Sequence, residues 1–207
     1  MSRAEIKNWS KEKIKGKIWE LLIPILVASI LTSLSIVKVT PTENGISVEA
    51  RAYLGIFFYF VEVGITYFMV KFINDEHHEF KDLFYFTKDY IRIFLVNLLQ
   101  CVFIFLWSLL LIVPGIIKVF AYSLVPFLLA DDKYNNLGYK EVLKKSEEMM
   151  NGHKMDYFVF NLSFIGWALL IPFTLGIILI WLAPYYTTAR IKFLNDIKTS
   201  HEGNTNK

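Results

Sequence analysis

The sequence predicts an all-α fold, a polytopic membrane bundle of about six transmembrane helices arranged as three hairpins, and three observations carry that class. The chain of 207 residues is 55% hydrophobic with a mean hydropathy of +0.42, above what a soluble domain with a polar shell shows. Its charged residues, 20% of the total, are clustered, which leaves five stretches almost without charge. Nearly every lysine and arginine falls between those stretches, the arrangement that sets topology in a bilayer.

Residues 1 to 17 hold Arg3, Lys7, Lys11, Lys13, Lys15 and Lys17, with Ile6, Trp9, Ile14 and Ile18 at roughly helical spacing. This predicts a basic amphipathic helix lying on an anionic leaflet. A signal peptide is the rival reading, but the apolar run that follows is long, lacks a small-x-small cleavage site and precedes further spans. That run, Ile18 to Val37, has the 20 residues that at ~1.5 Å each cross a core of about 30 Å. A polar loop, Lys38 to Arg51, then carries Pro41 and the turn pair Asn44-Gly45.

The second span, Tyr53 to Phe72, holds Glu62 near its midpoint, and an aromatic segment containing Phe80, Phe84 and Phe86 follows, suited to the interface. The third, Ile93 to Val113, is ended by Pro114-Gly115, because proline has no amide hydrogen to give and glycine accepts a left-handed turn. The fourth, Ile116 to Ala130, is only 15 residues and stops at Asp131-Asp132. Residues 131–156 are polar, with an interfacial amphipathic helix predicted over 139–151, its apolar side formed by Val142, Leu143, Met149 and Met150 and its stop by Gly152. The fifth span runs from Tyr157 to Pro172, Phe173 to Gly176 turns the chain, and residues 177–194 form the sixth. One integral domain thus covers 1–195, and 196–207 is a loose polar tail.

On this arrangement 19 of the 22 lysines and arginines fall in the N-terminus, the 71–92 and 131–156 segments and the C-terminal segment. Lys38, Arg51 and Lys118 fall on the other side, so both termini are expected in the cytoplasm. Spans four and five are short, at ~24 Å against a ~30 Å core, so either hairpin could be re-entrant. A faint echo links Leu110 to Ile117 with Leu169 to Pro172 and Gly176-Ile177-Ile178. Paired hairpins interrupted by Pro114, Gly115, Pro172 and Gly176 are the pattern that marks binding sites in transporters.

Several classes are set aside. A single cysteine, Cys101, allows no intrachain disulfide, and a net charge of +3 without aromatic residues interleaved among basic ones argues against nucleic-acid binding. His77-His78 lies among Asp75, Glu76 and Glu79 but lacks the HExxH spacing and a nearby cysteine, so no metal is expected. No phosphate loop, nucleophile elbow or Ser/His/Asp order is present, so no catalytic residue and no cofactor are implied.

Glu62 is the sharpest single signal, because an ionised acid at the bilayer centre costs roughly 2.5 to 3.5 kcal/mol unless it is protonated, paired or wet. It reads either as a proton, ion or substrate site or as a neutral acid bonded within the bundle. Lys118 is a partner only if both side chains stretch, since the backbones differ by roughly 10 Å in depth; snorkelling outward is its expected state. Tyr122 and Ser123 line the same crevice or serve packing. Asn97, Gln100 and Asn161 are amides of the kind that join helices. Asp131, Asp132, Met149, Met150 and Lys154 form a cytoplasmic interface for headgroups or a partner, with solvated loop charges the plainer reading.

The second half resembles a family of bacterial integral membrane proteins catalogued as domain of unknown function 975, common in Gram-positive bacteria. Leu106 to Lys118, Tyr122-Ser123, Pro126 and Leu129-Ala130-Asp131 carry it, as do Lys145-Ser146, Met149 to Lys154, Leu162 to Trp167, Thr174-Leu175-Gly176 and Pro184-Tyr185. The basic start, Ala4 to Trp19, looks like the family's opening too, so the resemblance covers most of the chain and least between residues 38 and 80. Where the family often has a proline after the acidic stop, this chain has Lys133-Tyr134. The resemblance implies a multi-span fold in the bacterial cell membrane and no established activity. Two functions therefore stand: a non-enzymatic accessory or protective factor, of which bacteriocin immunity is one form, engaging membrane lipids, a peptide or a membrane protein; or a small transporter or channel component working through Glu62.

Overall fold

The computed structural model describes residues 2–33, 38–42, 45–49, 59–110, 112–174 and 176–205. Among them the chain is helical apart from one two-stranded hairpin. Helix α1 (Arg3–Lys13) starts on a capping box, in which Ser2 Oγ accepts from the Glu5 amide at 3.3 Å and Glu5 Oε2 accepts from the Ser2 amide at 2.9 Å. Ile6, Ser10 and Ile14, four residues apart, form one face that is buried, and α1 lies against the last helix. Its apolar stripe is therefore taken up by protein rather than by a leaflet, which leaves only its basic side for headgroups.

Helix α2 (Ile18–Ser33) divides cleanly: Leu21, Leu22, Ile25 and Ala28 face inward, while Trp19, Ile23, Leu26 and Ile30 face out. The predicted polar loop contains strands β1 (Lys38–Thr42) and β2 (Gly45–Glu49), paired antiparallel with Val39 opposite Val48. Residues 34–37, 43–44 and 50–58, which include Asn44 and the start of the predicted second span, lie outside the described residues. Helix α3 (Tyr59–Ile73) is the central rod: Val61, Val63, Phe68, Met69 and Phe72 are all buried, and it touches α2, α4 and α9. The 3-10 helix Phe80–Asp89 crosses directly over it, so that a Cβ at Gly64 would stand 1.9 Å from the Leu83 carbonyl oxygen. Asp82 closes this crossing by accepting from the Glu79 amide at 2.9 Å and from Lys71 Nζ at 3.2 Å.

Helix α4 (Tyr90–Leu110) is long and apolar enough to cross a membrane: its stretch Tyr90–Leu109 has 20 residues and a mean hydropathy of 1.9. Among the described residues it is the one helix that meets this measure; the apolar stretches Ile18–Ile30 and Val113–Leu129 are shorter. Helix α5 (Ile112–Ala121) begins before Pro114-Gly115, so these two residues do not break the chain as the sequence predicts. Pro114 instead sits in the first turn of α5, where its missing N–H costs nothing. Gly115 lets α5 press on α4, since a Cβ there would meet Ser108 Oγ at 2.2 Å. The predicted fourth span is broken after Ala121, and a short helix α6 (Val125–Leu129) follows the turn that contains Tyr122 and Ser123.

Helix α7 (Tyr139–Met149) tucks under α5, with Ser146 Oγ donating to the Ala121 carbonyl at 2.8 Å. Met149 and Met150 are buried, at 1% and 0% exposure. They are core residues rather than an interface, because α7 packs against α4, α5 and α6 and buries its apolar side there. Helix α8 (Lys154–Ala168) ends in a turn that includes Pro172 and Gly176, whose φ of +83° is the left-handed geometry glycine suits. Helix α9 (Leu179–Thr205) then runs unbroken past Asn195. The expected loose tail is therefore helical, with Leu194 and Ile197 buried; Lys198 bonds Asp131, and Tyr134 Oη bonds Glu202.

The surface carries two features of different character. Exposed large apolar side chains form a belt of Trp19 to Ile30 on α2, Leu98 to Leu109 on α4, Val113 to Val119 on α5, Phe158 to Trp167 on α8 and Ile177 to Ile180 leading into α9. An ion-paired cap ties four segments together. Arg3 pairs with Asp156 at 3.7 Å, Lys13 with Asp75, His78 with Glu20 at 2.7 Å, and Arg92 donates to Asn135 Oδ1 at 2.7 Å and to the Tyr134 carbonyl at 2.6 Å.

Candidate functional site

Helices three and four residues apart in phase bring the polar groups to one place. Tyr186 and Arg190 share a face of α9, and Tyr157 and Asn161 share a face of α8, each pair separated by four residues. Helix α3 contributes Glu62, α4 contributes Gln100, and the turn between α5 and α6 contributes Tyr122 and Ser123. Together with Tyr59, Val119, Phe120 and Pro126 these line a cavity of about 320 Å³.

A network of hydrogen bonds runs through the wall. Arg190 Nε donates to Tyr157 Oη at 3.1 Å, and Arg190 Nη1 approaches Glu62 Oε1 at 3.5 Å. Asn161 Nδ2 donates to the Tyr157 carbonyl at 2.7 Å, while Tyr186 Oη donates to Asn161 Oδ1 at 2.7 Å. Ser123 Oγ is turned to the Phe120 carbonyl at 2.8 Å. The Glu62–Arg190 contact is single and long, where a relaxed guanidinium–carboxylate pair closes to about 2.7–2.9 Å and is frequently bidentate. The two side chains keep 32% and 29% of their surface accessible, because they face the cavity. Both also line a second chamber of about 120 Å³ with Ile25, Ala28 and Ser29 of α2 and Thr66 of α3. The ion pair thus stands between two chambers.

Of the residues singled out from the sequence, the structure gathers Glu62, Tyr122, Ser123, Asn161 and Gln100 in this cavity. Lys118 is elsewhere: its Nζ reaches both carboxylate oxygens of Glu147, at 2.6 and 2.8 Å, and lies over the Trp107 ring. It neither pairs with Glu62 nor snorkels outward, because α7 is close enough beneath α5 to supply the counter-charge. Lys154 joins the same carboxylate at 4.0 Å. Asp131 caps the 3-10 turn Asp132–Tyr134 by accepting from the Lys133 amide at 3.0 Å, and Asp132 accepts from Asn135 Nδ2 at 2.9 Å. Burial raises the Asp131 carboxyl, and hydrogen bonds from Lys198 and the Lys133 amide outweigh it, so the group sits below its ordinary value. His77 bonds Glu79, and His78 is held edge-on between Phe68 and Phe72. Among the described residues no group of three or more His, Cys, Asp or Glu side chains converges as a metal site needs.

Arg190 and the tyrosines Tyr59, Tyr157 and Tyr186 are site residues that the sequence reading did not single out. The available signal was Arg190 itself, a cation five residues short of Asn195 inside the predicted sixth span and read there as a topology charge.

Fold and site define a largely helical protein with a membrane-length helix, an apolar belt and an ion pair in the wall of a cavity lined in part by polar side chains. The chain matches the family described as Protein of unknown function (DUF975) over residues 1–121 and again over 109–201, and it belongs to that family. No curated protein and no solved structure matches it.

Proposed function

We propose that the chain is a six-span membrane protein that works as a small transporter or channel component, with the Glu62–Arg190 pair as the barrier in its pathway. The observation that carries this reading is the placement of one loosely closed ion pair as a wall of two chambers. A purely structural pair would gain by closing fully, since an incompletely bonded charge pair away from bulk water is costly. The alternative, an accessory or immunity factor docking through Met149 and Met150, is disfavoured because both side chains are buried.

The cap supports the expected topology. Its ion pairs and hydrogen bonds join the N-terminus, the 71–92 segment, the 131–156 segment and the C-terminal helix, which are the four regions that the charge count assigns to the cytoplasm. Lys118, which the charge count assigns to the opposite side, is bonded to Glu147 of the 131–156 segment.

The test is accessibility from both faces. In a Cys101→Ser background, Ser123→Cys in oriented vesicles should react with a membrane-impermeant maleimide added from either side, and Glu62→Gln should change the balance between sides while the protein still inserts. Labelling from one side only, unaltered by Glu62→Gln, would reject the transport reading.

A further inference from the structure

We infer that the cavity takes a zwitterionic ligand, one carrying an ammonium and a phosphate or carboxylate a few atoms apart, of the kind found in an ethanolamine phospholipid headgroup. The inference rests on the reading of this cavity as the working site and adds the ligand class. It follows from what the wall leaves unmet. Arg190 carries five N–H donors, of which Nε bonds Tyr157 and Nη1 makes only the 3.5 Å contact with Glu62. The rest of the guanidinium fork remains for an anion, and a planar fork matches phosphate or carboxylate geometry.

The opposite need lies in the same walls. Among the described residues Gln100 Oε1 is buried without a hydrogen-bond partner, and the Glu62 carboxylate has no contact other than the long one to Arg190. Both are acceptors in want of a donor, and the charge on Glu62 favours a cationic one. An anion alone would meet Arg190 and face Glu62 with repulsion; an amine alone would do the reverse. A ligand with both charges answers both residues. Tyr122, Tyr157 and Tyr186 supply ring surface and hydroxyls around it, and about 320 Å³ is room for a headgroup or an amino acid.

The position points to the headgroup source. Gln100 lies between the exposed Leu98 and Val102, and Asn161 lies between the exposed Phe158 and Leu162. Val119 lines the cavity and is itself 48% exposed on the belt, so the cavity reaches the face that meets lipid.

The purified full-length chain in a non-ionic detergent is titrated with short-chain phosphatidylethanolamine, short-chain phosphatidylglycerol, free phosphoethanolamine and an amino acid, with binding read by thermal shift and by intrinsic fluorescence. The ethanolamine lipid should bind saturably, and the anionic phosphatidylglycerol about tenfold or more weakly, the worth of a lost charge-assisted hydrogen bond. Glu62→Gln should erase that preference, and Gln100→Leu, which removes an unmet acceptor and so leaves folding intact, should weaken the ethanolamine lipid several-fold. Tight binding of free phosphoethanolamine or of the amino acid, equal to that of the lipid, keeps the zwitterion and overturns the headgroup source. Absence of saturable binding by every probe, or equal affinity for the two lipids unchanged by Glu62→Gln, overturns the ligand class. Because the maleimide test is read without any ligand, two-sided labelling with no zwitterion binding rejects this inference alone, and zwitterion binding with one-sided labelling rejects transport alone.

Discussion

At Gly64 a hydrogen atom fills all the room there is, since the Leu83 carbonyl oxygen stands where a methyl group would go. Gly64→Ala must push the 3-10 segment off α3, and overpacking of this kind costs about 1–3 kcal/mol, which thermal unfolding in detergent will show as a lowered midpoint. Asp131 offers a pH-dependent counterpart. Its carboxyl is held below the ordinary range, so it adds stability above the unfolded value near pH ~3.9 and loses it as pH falls through the depressed native one. The wild type should therefore lose midpoint temperature below about pH 4, whereas Asp131→Asn should start lower at neutral pH and fall less steeply in acid. At this scale Glu62 was legible because an acid in an apolar run has no cheap explanation. Arg190 was not, because a cation near the end of a span fits the topology rule equally well, and only the fold places Tyr157 and Glu62 beside it.

Element by element, apolar runs gave the helices and misplaced their ends. Pro114-Gly115 reads as a terminator in sequence, yet proline is as comfortable in a first turn as after a last one, and the close approach to Ser108 explains the glycine. Substituting Gly115→Val should splay α5 from α4 and lower stability more than Gly166→Val, where a Cβ meets nothing within 4 Å. The apolar side of α7 was visible, but periodicity does not say whether protein or lipid covers it. Met149→Ala is expected to cost about 2–5 kcal/mol, the loss typical of a truncated core methionine, where a docking residue would cost almost nothing in the isolated protein.

For the whole molecule, the alternation of apolar and basic segments made a helical chain with a membrane-length apolar helix readable, and the cap's cross-links agree with the grouping that the basic residues imply. A thiol introduced near Asn44 should react with an impermeant reagent applied outside intact cells; reaction only after lysis would invert the topology. The C-terminal segment was misread because its polar residues look like solvent-facing tail, while Leu194 and Ile197 are spaced to continue a buried helical stripe. Deleting residues 196–207 should accordingly lower the unfolding midpoint by several degrees, since it removes the partners of Asp131 and Tyr134.

Helix α9 holds both Arg190 and Glu202 on one uninterrupted rod, about 18 Å apart along its axis. Anything that grips the protein by the last turn of this helix therefore has a mechanical handle on the guanidinium between the chambers. A bulky fusion at the C-terminus and one at the N-terminus should not be equivalent, and the former is the one to avoid when activity is to be measured.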